Sequence, residues 1–305
     1  MSMKSFIIKI ITFLALVVLF DYIFGITMSY VVNHINVGGQ GRDNHICNKA
    51  IEDILVFGSS RAVHHYNSSM MEESLGMSCY NCGEDGNGIV LSYGRLLMAK
   101  ERHQPQIIIH DVTADFDLFK NDNHKYLGWL KARYDRPGIS DIFELIDKTE
   151  RYKMLSQMYR YNSKFLHNLF VFFSSISSDQ GVKGYRPLNS VFDSMQVKRV
   201  VKPEIYEFDS EKIKFIHKFI DLAEGSKLYF VVSPVWYGMN TEKIAPIRNL
   251  CQKQGIPFLD FSNDPKYVHN SELFQNGTHL NSKGADEFTR DLIQVIKQHG
   301  VDKCN

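Results

Sequence analysis

From about residue 51 onward, short apolar runs alternate with longer amphipathic ones. Ile54–Phe57 (ILVF), Ser78–Asn81, Ile107–His110 (IIIH), Leu228–Val232 (LYFVV) and Pro257–Asp260 (PFLD) have the short, mostly apolar character of buried strands. Helical spacing marks Val90–Arg102, where Leu91, Leu96 and Leu97 share a side, and then Ser210–Ala223, Thr241–Gln254 and Ser282–His299. Strands alternating with helices predict an α/β fold with a mainly parallel sheet covered on both faces. Residues from about 114 to 205 break the repeat. They read as a helical insertion capping the strand ends, with helices over Ile139–Lys148 and Arg151–Ser174 and a turn-rich stretch over Ser177–Leu188. Phe165, Leu166, Leu169, Phe170, Phe172 and Phe173 form an aromatic stripe in this insertion, suited to core packing and open to lipid or a partner.

Ahead of this pattern lies FIIKIITFLALVVLFDYIFGITMSYVV, Phe6 to Val32, longer than the ~20 residues that cross a hydrocarbon core. Lys4 and Lys9 stand at its start, and only Arg42 and Lys49 follow closely, a bias that puts the N-terminus inside and the bulk of the chain outside the cytoplasm. No small-residue cleavage site follows, so an uncleaved signal anchor is expected. Asp21 is costly at mid-bilayer, which places it near an interface, or else protonated or facing a partner helix. The division expected is an anchor over 1–33, a glycine-containing polar linker over 34–50, and an α/β domain over 51–305.

Composition narrows the function classes. Thirty-five Lys and Arg against 34 Asp and Glu leave a net charge of +1, which gives no reason to expect nucleic acid. Five cysteines are too few for a disulfide scaffold. Cys79 and Cys82 have CxxC spacing but no second pair, so they read as buried small hydrophobes. His64 and His65 have no carboxylate or cysteine set beside them, so no metal site is expected, and no GxGxxG follows the first strand to hold a cofactor.

Candidate chemistry collects at the carboxyl ends of strands, where parallel sheets bind ligands. Gly58, Ser59, Ser60 and Arg61 follow the first strand, a turn suited either to helix capping or to a projecting serine. His279 lies in FQNGTHLNSKGA, before the last helix, with Ser282 as its expected N-cap. Both loops open on one rim, pairing a hydroxyl with an imidazole. Arg61 suits an anionic substrate or a helix surface. Trp236 suits a sugar ring or the core. Glu84 and Asp85 suit acid–base work or plain solvation.

In these blocks the chain resembles the SGNH, or GDSL-like, hydrolase superfamily, in the membrane-anchored extracytoplasmic branch whose first block reads GSSR. Gly58, Ser59 and Ser60 match the first block, YNCGEDGNG over 80–88 the second, the exit around Ser233–Trp236 a later one, and FQNGTHLNSKGA the last. The resemblance implies a flavodoxin-like, doubly wound five-stranded sheet of order 2-1-3-4-5, no cofactor, Ser60 as nucleophile, His279 as base, and an oxyanion held by the N–H groups of Ser60 and Gly86. It implies an envelope esterase or O-acyltransferase acting on acyl, foremost acetyl, esters of cell-surface glycan. Its partners would be the membrane through the N-terminal helix, an acylated glycan or other ester, and an envelope protein. A non-catalytic scaffold or glycan-binding subunit is the other class open. Two positions depart from the pattern. Asn276 stands where the family carries an aspartate that orients the histidine, and Asp260 suits either that role or, more simply, a turn or cap. The third block's asparagine is replaced by His110, Asp111, Val112 and Thr113, leaving Asn87 to stand in as a donor.

Overall fold

A computed structural model describes residues 2–121, 124–176, 181–193 and 206–300. The chain divides into two units: Met1–His45 with Leu127–Ser178, and Ile46–Tyr126 with Asp179–Asn305.

The larger unit is built on a five-stranded sheet of order β2-β1-β3-β4-β5, with β1 at Ile54–Gly58, β2 at Cys79–Asn81, β3 at Ile107–Asp111, β4 at Lys227–Val232 and β5 at Phe258–Asp260. Every neighbouring pair is parallel, with Ile54 opposite both Cys79 and Ile107, and Ile107 opposite Lys227. Because β1 and β3 are buried at every position, both of their faces must be apolar, which explains their unbroken hydrophobic runs. Ile54, Val56, Ile107, Ile109 and Val231 turn toward one core, where Phe288, Leu292 and Ile296 of the last helix, Ser282–Gln298, pack on them. Phe57, His110 and Phe230 turn the other way, their rings 5.3–6.4 Å from that of Phe219 where ring pairs with it are resolved, on helix Ser210–Leu222. The two-residue strand period thus sorts side chains into two cores.

Segment boundaries moved by small amounts with physical causes. The stretch Thr241–Gln254 starts as a 3-10 turn, Thr241–Ile244, and becomes an α-helix at Ala245, with Pro246 in its first turn, where a missing N–H costs nothing. The last helix is capped by Asn281 rather than Ser282: its side chain accepts from Gly284 N–H at 3.0 Å. Cys47, Cys79, Cys82 and Cys251 are buried, and burial pushes the Cys79 and Cys82 thiols well up.

The smaller unit contains the N-terminal helix, Met3–His34, long and apolar enough to cross a membrane. Its core joins Met28, Val31, Val32 and Ile35 to Tyr161 and Val171. The expected linker over 34–50 instead holds a helix, Gly38–Asn48. Asn44 ties it down through Nδ2–H bonds to the Val32 and Ile35 carbonyls at 2.6 and 2.8 Å, and a Cβ at Gly41 would sit 2.4 Å from the Asn36 carbonyl carbon. The glycines there serve close packing, not slack. Arg151–Ser174 is not one helix but three pieces, Glu150–Lys153, Gln157–Tyr161 and Phe165–Ser174, the second capped by Ser156. Leu127–Ser178 accordingly clusters with the N-terminal helix, not with the sheet it was expected to cap. Residues 177–180 and 194–205 of the expected insertion lie outside the described residues.

Candidate active site

β1 ends at Gly58, whose φ of +139° and whose approach to β3 both demand glycine: a Cβ would stand 2.7 Å from the Asp111 carbonyl oxygen. The chain then turns into a short helix, Ser60–His65. The two serines of this turn have different contacts. Ser59 is the cap, fully buried, its Oγ accepting from Arg61 N–H at 3.4 Å and lying 2.7 Å from Thr113 Oγ1. Ser60 opens the helix with its Oγ 2.7 Å from His279 Nε2.

The histidine loop is folded by one side chain. Asn276 Oδ1 accepts from the backbone N–H groups of Thr278 and His279, each at 3.0 Å, and from Thr278 Oγ1 at 3.1 Å. Two backbone donors identify that atom as the amide oxygen. It also lies 3.1 Å from His279 Nδ1, so Nδ1 carries the proton and Nε2 presents its lone pair to Ser60. Asp260 takes no part: it accepts from Ser262 N–H and Oγ–H at 2.9 and 2.6 Å, closing a turn.

Beneath His279, His65 is buried and fully engaged. Its Nε2 accepts from Leu280 N–H at 3.0 Å, so its Nδ1–H points to Ser233 Oγ at 2.9 Å. Burial, then neighbouring His279 and Arg61, holds its basicity well below the usual imidazole range. His65 thus fixes the residue next to His279 from the helix that Ser60 begins. Nothing in two adjacent histidines signals this division of labour.

Arg61 is buried rather than on a helix surface, and it borders the cavity onto which Ser60 opens. Its guanidinium is 3.3 Å from Asp111 Oδ1 and donates to Thr113 Oγ1 and to the Val112 and Ser233 carbonyls, joining the exits of β1, β3 and β4. Asp111 also accepts from Tyr66 Oη–H at 2.5 Å, and burial raises its carboxyl against the pull of Arg61. The neighbours of Gly86 are paired as well, rather than merely solvated. Glu84 pairs with Arg95 at 2.8 Å, and Asp85 lies 3.3 Å from His64 Nε2 and 2.5 Å from Arg186. Burial works to raise the Asp85 carboxyl, but His64 and Arg186 outweigh it and hold it well below the usual range. The His64 ring faces that of His279 edge-on at 5.7 Å, with Nδ1 donating to the Arg186 carbonyl at 2.6 Å. Burial first, then His64 and Arg61, lower His279 to about 4, with Asp85 opposing them.

Ser60 and His279 open on a cavity of about 410 Å³, walled by Thr113–Phe116, Val235, Tyr237, Met239 and Lys243. That is within the range of small-molecule sites. Gly86, in the turn after β2 with φ +65°, and Asn87, whose Nδ2–H bonds the Asp85 carbonyl at 2.9 Å, are not among its lining residues. Trp236 is turned into the protein, its ring 4.7–5.1 Å from those of Phe192, Tyr237 and His269. Its neighbour Tyr237, in the same turn closed by Gly238 N–H to the Val235 carbonyl at 3.2 Å, takes the wall instead. Thr113, at the exit of β3, and Tyr237 are wall residues to which sequence reasoning gave no role in the site.

No protein-family profile and no curated protein matches the chain. Among solved structures it is similar to a candidate acylhydrolase from Bacteroides fragilis NCTC 9343, at 12% identity over 86% of this chain and 97% of that one, TM-score 0.44. It is similar also to a candidate platelet activating factor from Streptococcus pneumonia, at 12% identity over 94% and 98%, TM-score 0.37. A third is a family two carbohydrate esterase from Clostridium thermocellum in complex with cellohexaose, at 10% identity over 82% and 65%, TM-score 0.38. Likeness of that degree carries no weight for the chemistry, which rests on the geometry above.

Proposed function

We propose that this chain is a membrane-anchored, extracytoplasmic serine esterase or O-acyltransferase acting on acyl esters, acetyl foremost, of cell-surface glycan. One observation carries the reading: Ser60 Oγ lies 2.7 Å from His279 Nε2 while His279 Nδ1 is held 3.1 Å from Asn276 Oδ1. Nucleophile, base and orienting group stand in the order that acyl transfer needs.

In the reaction, Ser60 Oγ forms a bond to the ester carbonyl carbon as its proton passes to His279 Nε2. The carbonyl oxygen becomes the oxyanion, facing the backbone N–H of Ser60, which as the first residue of its helix has no intrahelical acceptor. Collapse breaks the bond to the leaving alkoxide, which takes the proton back from His279. Water or a sugar hydroxyl then repeats the sequence in reverse on the acyl-serine. At neutral pH a histidine near 4 is unprotonated and ready to act as the base. Thr278 Oγ1, 3.2 Å from His279 Nδ1, adds a second polar contact on the orienting side.

A fluorophosphonate probe tests this directly. The full chain in detergent should be labelled at Ser60, and Ser60→Ala and His279→Ala should each lose labelling by at least ~10³-fold. Labelling that survives Ser60→Ala refutes the assignment. A second reading, a non-catalytic glycan-binding subunit, is favoured by the placement of Gly86 and Asn87 away from the cavity wall. It requires that wild type and Ser60→Ala bind glycan equally and that neither is labelled.

A further inference from the structure

We infer that the helices packed around the end of the N-terminal helix form a second membrane contact, a collar whose exposed apolar side chains sit in the outer-leaflet interface of the bilayer. The inference rests on the reading of Met3–His34 as a membrane span and goes beyond it.

The level of the collar follows from helix arithmetic. About 20 residues cross the hydrocarbon. Counted from Phe6 the twentieth is Gly25, and counted from Ile10, the first residue after Lys9, it is Ser29. The described N-terminal helix is exposed up to Phe20 apart from partial cover at Ser5, and it becomes covered from Asp21, with Gly25, Met28, Val31 and Val32 buried. Helices Gln157–Tyr161 and Phe165–Ser174 therefore pack where the span reaches the water boundary, not far above it.

Asp21 fixes that level. Its carboxylate accepts from Ser156 Oγ–H at 2.9 Å, Gln157 N–H at 2.8 Å and Met158 N–H at 2.9 Å. A charge that would be expensive in a bare span is thus fully bonded, and the bonds draw the start of helix Gln157–Tyr161 down to it. Leu155 and Met158, flanking those bonds, are exposed. Phe165 and Phe172 meet Phe24 and Tyr30 edge-on, each at 6.1 Å, which aligns helix Phe165–Ser174 beside the same stretch.

That helix buries Asn168 and Val171 and leaves Leu166, Phe170 and Phe173 exposed at 69%, 62% and 79%. The spacing 166, 170, 173 places the three on one stripe. By the contacts of Phe165 with Phe24 and of Phe172 with Tyr30 they lie beside residues 24–30 of the span, where Ile26 and Tyr30 are also exposed. Apolar surface continuous with lipid-facing surface at that height has the acyl chains of the same leaflet as its occupant.

Site-directed spin labelling in liposomes separates the alternatives. The four described cysteines are buried, so a Cys304→Ser background carrying Phe170→Cys or Leu14→Cys labels one position at a time. The expected result is that both labels are accessible to oxygen and shielded from a water-soluble nickel chelate. A label at 14 in lipid with a label at 170 in water overturns the collar and leaves the anchor standing. A label at 14 in water removes the anchor and the collar with it.

Discussion

The same local device appears in each unit, and the two uses differ in one respect. In the helical unit, Asp21 collects two consecutive backbone N–H groups, of Gln157 and Met158, and the hydroxyl of Ser156. In the sheet unit, Asn276 collects two consecutive backbone N–H groups, of Thr278 and His279, and the hydroxyl of Thr278. Asp21 spreads its bonds over two charged oxygens, whereas Asn276 concentrates them on one neutral oxygen that also faces His279 Nδ1. The charged version has only backbone and a hydroxyl to hold. The neutral version holds its loop and also orients a ring, so its chemistry is open to tuning by charge without rebuilding the turn.

Exchanging the charges breaks the comparison in both directions. Asn276→Asp places a carboxylate against Nδ1–H and stabilises the imidazolium formed as Ser60 attacks. In a trypsin-type triad the reverse change costs about 10⁴, largely through the wrong tautomer. Here the tautomer is already held by an oxygen pinned from two backbone N–H groups, so the gain in fluorophosphonate labelling should be smaller, on the order of 10². An unchanged rate would favour the binding-subunit reading. Asp21→Asn removes the charge and leaves one acceptor oxygen for three donors, a loss of about 1–3 kcal/mol. Hydrogen exchange at the Gln157 and Met158 amides should speed up by roughly ten- to a hundredfold, with labelling at Ser60 unaltered. Unchanged exchange would mean that Asp21 does not cap that helix.

The smallest effect sharpens the picture of His279 itself. His64 lowers its basicity, so His64→Gln should raise it from about 4. Because the reaction needs the unprotonated ring, activity is lost as pH falls through that value, and a higher value moves the acid limb of kcat/KM to higher pH. The expected displacement is upward and under about one pH unit. A limb that stays in place or moves down would mean that His64 carries no weight at the base.

The sheet was legible because burial on both faces leaves its mark in composition: ILVF, IIIH and LYFVV admit few other readings, and all became strands. Ser60 and His279 were legible as a pair because a parallel sheet brings loop ends to one rim. What escaped was set by contacts distant in sequence. Apolar spacing runs on through Arg151–Ser174, yet the break at Ser156 belongs to Asp21, more than a hundred residues earlier. The glycines of 38–41 read as slack because nothing local says that Asn36 will press against one of them. Arg61 and Trp236 have residue types suited to ligands; the first borders the cavity while joining three strand exits, and the second is packed against other rings. Neither His65 nor His64 could be told from the other until burial separated them.

Ser60 and His279 stand 219 positions apart. His65, in the same short helix as the serine, waits for Leu280 across a similar gap. During synthesis the early part of the chain therefore emerges with a serine that has no base and a buried histidine that has no backbone partner. Neither is supplied until the segment around 279–280 has been made. Under the proposed function, chemistry switches on only after that segment has emerged, so a copy stopped before it carries an inert hydroxyl.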